Sequence, residues 1–269
     1  MTRPTALFLA VASLLFFAAP AMGSNYCEDT AEFTPSSKPD TRIVNNIWNR
    51  NVEGSQYLFK GRFDGLPVES VSGEDALGSW MWRWGYVDNT PHSYPSIAFG
   101  HQPWRSYSTT KMLPALVGDV EGIEVSYKLA IQAEGSYNAS FEMWFTTGKK
   151  PEPKHVETEI MVWVGDNQLK PFGTYVEDVT LGGKTYEIWL GKVQWWRYVV
   201  FRAKEHALAG SVELMPIVDE AARRGWVKPG HYLTSVELGT EIVSGVGKAV
   251  LEQFDVKARV KGRDAAKSK

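Results

Sequence analysis

The stretch HVETEIMVWVGD, residues 155–166, carries Glu157 and Glu159 two positions apart and runs on through Met161, Val162, Trp163 and Val164. Residues two apart share a face of an extended strand. Glu157, Glu159, Met161 and Trp163 then point one way. Val156, Ile160, Val162 and Val164 point the other, with Thr158 among them. The split recurs in TSVELGTEI (234–242), where Glu237, Gly239 and Glu241 oppose Val236, Leu238 and Ile242. It recurs again in YNASFEMWF (137–145), where Ser140, Glu142 and Trp144 oppose Phe141, Met143 and Phe145. In WMWRWGY (80–86), Trp80, Trp82, Trp84 and Tyr86 line one side.

Acid-bearing faces that meet on one sheet would line a groove with carboxylates and flat rings. Two carboxylates flanking a bond are the machinery of glycoside hydrolysis: one acts as acid and then base, the other as nucleophile or base. Aromatic walls suit the apolar faces of sugars. The competing readings are plain. A strand face carrying Glu is most often solvated surface, and a tryptophan stripe is more often core than platform. Period-two counting alone does not choose between them.

The elements that must position these groups are strands. Short alternating runs occupy 80–86, 97–100, 124–133, 137–146, 157–164, 175–181, 185–190, 196–203, 233–242 and 249–260, broken by Gly, Pro, Asn and Asp. Gly182-Gly183 reads as a tight hairpin. Strands at this spacing suggest an all-β sandwich or barrel. MPIVDEAARR (215–224) stands apart as a helix, with Pro216 near its start and Gly225 just past its end.

Met1–Gly23 reads as a secretory leader: Arg3, an apolar run from Ala6 to Ala19 too short to span a bilayer comfortably, and a small-residue cleavage site at Ala21-Met22-Gly23. The expected organisation is a leader at 1–23, a lead-in at 24–42, a β-sandwich domain at 43–258 and a basic disordered tail at 259–269. The net charge of −2 leaves no basic footprint for nucleic acid. Cys27 is the one cysteine, which rules out an internal disulfide, and the five histidines form no metal-ligand pattern. Eleven tryptophans in an exported chain of this size fit sugar binding.

At EIMVW (159–163) and SVELGTE (235–241) the chain resembles the two signature strands of glycoside hydrolase family 12, a family of endo-β-1,4-glucanases that includes xyloglucanases. NNIW (45–48), WRW (82–84), SYP (93–95) and YNASFEMW (137–144) resemble further motifs in the family's order, so the likeness runs from about Val44 to Val256. It implies a jelly-roll β-sandwich with a concave cleft and one short helix packed on it, acting with net retention. It also implies Glu159 as nucleophile, Glu241 as acid/base and Glu142 as supporting carboxylate. Trp48 would be a distal sugar platform, with Asn46, Trp84, Met161 and Trp163 lining the cleft. Glu142 stands where the family usually has Asp, Thr158 where it often has Asp or Tyr, and Cys27 cannot form the N-terminal disulfide of many members. No metal or cofactor is expected. The expected partner is a β-glucan, and the expected state is a monomer in the periplasm or outside the cell, with no membrane attachment after leader removal. A non-catalytic glucan-binding protein and an all-β carrier of an apolar ligand are the rival classes.

Overall fold

The computed structural model describes residues 25–26, 30–48, 69–72, 77–85 and 88–263. The leader at 1–23, Cys27, Tyr86 and the end of the tail, 264–269, lie outside the described residues. In chain order the strands are β1 (Asn25–Tyr26), β2 (Glu32–Phe33), β3 (Arg42–Val44), β4 (Glu69–Ser72), β5 (Gly78–Trp84), β6 (Ser96–Gly100), β7 (Ala115–Leu116) and β8 (Val120–Glu134). They continue with β9 (Tyr137–Thr146), β10 (Val156–Asn167), β11 (Thr174–Leu181), β12 (Lys184–Val193), β13 (Trp196–Ala203), β14 (Ala209–Glu213), β15 (Tyr232–Gly239) and β16 (Gly245–Val260). One α-helix among the described residues, α1 (Met215–Arg223), precedes β15.

Two sheets form a sandwich of jelly-roll type. A six-stranded sheet runs β1-β4-β5-β16-β8-β14. A ten-stranded sheet runs β11-β12-β13-β10-β9-β15-β6-β3-β2, with β7 paired to β15. The β10/β13 pair is parallel, because the β11–β12 hairpin intervenes before the chain returns beside β10. Gly182 and Gly183, at φ 55° and 80°, make that hairpin's two-residue turn between the paired residues Leu181 and Lys184.

The expected alternation decides which side chains meet inside. Ile160, Val162 and Val164 of β10 enter the core with Phe141, Met143 and Phe145 of β9. Trp80, Trp82 and Trp84 face them from β5 in the other sheet. The tryptophan stripe is therefore core, and Trp84, at 0% exposure, cannot line a cleft. Its ring stacks on His92 at 4.6 Å between centroids. Trp82 needs a glycine opposite it: a Cβ on Gly247 would lie 2.4 Å from its ring.

Several boundaries differ from the expectation, three of them informatively. β2, inside the anticipated lead-in, pairs with β3 at the sheet edge. β16 runs on to buried Val260, so the first residues of the anticipated tail belong to the sheet. β15 stops at Gly239 rather than Ile242, because beyond it the chain changes partners: Thr240 N–H bonds to Pro95, Ile242 N–H to Ser93, and Glu241 C=O accepts from Asn138. β15 also carries a bulge between Leu233 and Ser235. Leu233 and Val236, three apart, thus both reach the core, and Ser235 and Glu237 turn to the opposite face.

Helix α1 matches its expected span to one residue and buries Ile217, Val218 and Ala221. Glu220, 8% exposed, accepts hydrogen bonds from Arg223 (2.6 and 2.7 Å) and Arg224 (2.7 Å). Arg223, with Arg224, holds the Glu220 carboxyl down at about 2, against an ordinary 4.5. A depressed carboxylate stabilises the fold above its unfolded value, and that contribution fades as pH falls through its folded one. Glu220→Gln should therefore lower the melting temperature at neutral pH, and the gap from the unsubstituted protein should shrink from about pH 4.5 towards pH 2. Melting curves across that range check this.

Candidate active site

β10, β9 and β15 lie side by side in the ten-stranded sheet, so the three acid-bearing faces meet on its outer face. Registration does the positioning. Glu142 on β9 sits directly opposite Met161 on β10 and directly opposite Glu237 on β15. Glu159, two residues before Met161, is the diagonal neighbour of Glu142, a spacing that long side chains bridge. Glu142, Glu159 and Glu237 are 7%, 6% and 0% exposed. Glu241, just past β15, is half-buried. Glu157 is exposed, as expected for a solvated residue.

Each buried acid has its own set of partners. Trp196 donates its indole N–H to Glu159 at 2.7 Å, and Glu159 shares a hydrogen bond with Glu142. Asn138 grips Glu241 twice: its side-chain amide donates to the carboxylate at 2.6 Å, and its carbonyl accepts from the Glu241 backbone N–H at 2.9 Å. Glu237 accepts from Gln102 at 2.7 Å and from Ser96 and Ser235 at 3.1 Å each.

The electrostatics separate the acids into two kinds. Burial, then the charge of Glu159, pushes the Glu241 carboxyl up to about 8, with Asn138 pulling the other way. At neutral pH it holds its proton. Burial raises Glu159 less far, to about 7, because the Trp196 and Glu142 hydrogen bonds favour its charged form. Glu142 is raised by burial and by three neighbouring carboxylates, and its bond to Glu159 raises it too, so it is the proton donor of that pair. Tyr94 and Tyr198 are fully buried in the same field and stay neutral.

Met161 and Trp163 lie on the acid face, as the alternation requires, yet at 0% and 1% exposure they have no surface left for a ligand. They pack under Tyr94, Leu169, Tyr198 and Val243 and support the floor instead. Asn46 is half-buried, and its carbonyl accepts from Tyr94 N–H at 2.8 Å. Tyr94 in turn donates its hydroxyl to the Ser140 carbonyl at 2.9 Å, one pleat from Glu142. Trp48 is 49% exposed at the end of that same segment.

Sequence reasoning missed Trp196, Asn138 and a tryptophan wall beside Glu159. Trp144, opposite Glu159 in register, and Trp196 are buried, and exposed Trp104 lies across both, at 4.6 and 6.2 Å between centroids. Trp195, half exposed, packs on Trp196 at 5.1 Å. QWWRY (194–198) was the available signal, but nothing in it announces a parallel neighbour of β10.

A family model described as glycosyl hydrolase family 12 matches residues 40–258, most of the chain. The chain belongs to glycosyl hydrolase family 12. It is a glycoside hydrolase. Its relatives include "Endoglucanase S" of Pectobacterium parmentieri, 26% identical over 222 residues and 80% of each chain. "Xyloglucan-specific endo-beta-1,4-glucanase A" of Emericella nidulans is 21% identical, across 89% of this chain and 92% of that one. In fold, a family 12 xyloglucanase from Bacillus licheniformis superposes with a TM-score of 0.76 at 22% identity, covering 88% of this chain and all of the other. No helix among the described residues is long and apolar enough to cross a membrane.

The Asn138 grip gives a direct check on this family 12 chain. The side-chain bond from Asn138 favours the charged form of Glu241, so Asn138→Ala should move the Glu241 carboxyl above about 8. Carbon-13 NMR titration of glutamate-labelled protein reads that shift, and a downward shift would contradict the assignment.

Proposed function

We propose that the chain is an exported, monomeric endo-β-1,4-glucanase that cuts internal bonds of soluble β-glucans, of xyloglucan or cellulose type, by a retaining double displacement. One observation carries the reading. Two carboxyl groups on one face sit in unlike environments: burial and the charge of Glu159 push Glu241 up to about 8, while the Trp196 and Glu142 hydrogen bonds limit the rise that burial gives Glu159 to about 7. Glu159 therefore ionises first, and Glu241 keeps its proton longer. Environments that push two acids apart assign the roles. The names of the curated relatives support the glucan, and the leader-like residues 1–23 support export.

Glu241 protonates the glycosidic oxygen as the bond breaks, while Glu159 attacks the anomeric carbon to give a glycosyl ester. Ester formation removes the charge of Glu159. That charge is one of the causes holding Glu241 high, so Glu241 becomes more acidic just when it must act as a base towards water. Water then releases the sugar with retained configuration. A retaining pair requires a carboxyl separation of ~5–5.5 Å, against ~6.5–9.5 Å for an inverting one. Exposed Trp48, and exposed Trp104 and Trp195 in the wall beside Glu159, offer flat surfaces for the glucan.

The test is reducing-end release from xyloglucan, mixed-linkage glucan and carboxymethyl cellulose. Glu159→Gln and Glu241→Gln should each lose at least about a thousandfold in rate while remaining folded, and the first product seen by proton NMR should be the β-anomer. Retained activity in either variant would sink the assignment. Glucan binding without hydrolysis by the unsubstituted protein would favour a binding protein instead.

A further inference from the structure

Glu237 takes no part in that mechanism, yet it is the most deeply buried acid of the cluster. It has no exposed surface, and three side chains donate to it: Ser96 from β6, Gln102 from the loop after β6, and Ser235 from its own strand. Burial raises the Glu237 carboxyl to about 7, and the three donors oppose that rise by favouring its anion. Its direct cross-strand partner is Glu142, whose only hydrogen-bond partner among the described residues is another acid, Glu159. Two adjacent buried carboxyls cannot both ionise cheaply. The donors decide which one does.

We infer that Glu237 is a positioning residue: its charge, fixed by Ser96, Gln102 and Ser235, keeps the proton of the pair on Glu142, so that Glu142 can donate to Glu159. The inference rests on the hydrolase reading only for its effect on turnover. Among the described residues, the groups facing Glu142 are Glu237 from β15, Glu159 from β10, Glu241 beyond β15, Tyr94 ahead of β6 and Tyr198 from β13. All are acids, so none of them offers Glu142 a positive charge. Glu237 differs by facing Arg105 as well as its three donors. An Asp in place of Glu142 would be shorter by one methylene. The longer side chain spans the diagonal to Glu159 while keeping its carboxyl beside Glu237.

The alternative is that Glu237 merely anchors the loop that carries Gln102 and Trp104. Carbon-13 titration of glutamate-labelled protein separates the two, with the Glu142 carboxyl identified by its loss in Glu142→Gln. The Glu142 resonance in the unsubstituted protein should stay in its acid form through neutral pH. In Glu237→Gln its midpoint should fall by about one pH unit or more, and Glu237→Asp, which restores a charge, should recover most of the shift. An anchor would change stability but leave the Glu142 midpoint in place, and that result overturns the proposal. Ionised Glu142 at neutral pH in the unsubstituted protein overturns it as well, even where Glu237→Gln fails to fold. The titration needs no substrate, so its failure and that of the hydrolase reading are separate results.

Discussion

Four carboxyl groups crowd one face of a sheet, and three of them are almost wholly buried. Like charges removed from water repel strongly, and burial penalises each of them separately. The arrangement holds because the groups do not ionise together. Protons remain on Glu142 and Glu241, while donors surround Glu159 and Glu237. That staggered order of ionisation is the constraint to which the rest of the site is fitted.

The scaffold supplies the donors from elements far apart in the chain. Trp196 comes from β13, parallel to β10, and Asn138 from the first residues of β9. Gln102 comes from the loop after β6. All but the last stand on or beside paired strands, whose registration leaves little freedom to drift. The bulge in β15 has its consequence here, because without that extra residue Glu237 would turn into the core. Beneath the acids, Met161 and Trp163 fill the floor and keep water away, which strengthens each electrostatic contact above them.

Aromatic residues divide by sheet. The stripe on β5 belongs to the sandwich interior, where three tryptophans pack against the second sheet. Trp144 and Trp196 lie on the acid face and carry exposed Trp104 and Trp195. A ring held edge-on by a buried ring loses little freedom when a sugar settles on it. The same residue type thus builds the core on one sheet and a wall beside the carboxylates on the other.

The sequence by itself determined the local pattern: which residues of each strand share a face, where the helix begins and ends, and the motif-level likeness at EIMVW and SVELGTE. These are short-range properties, set by a period of two, by Pro216 and Gly225, and by residue order. Alternation marks two faces without saying which is inner, so it could not tell that Trp84 is core or that Met161 and Trp163 are covered. Strand pairing decided that, along with the hydrogen bond from Trp196 to Glu159 and the register that sets Glu142 against Glu237. Those contacts join residues from 37 to 95 positions apart in the chain, and only folding brings them within reach.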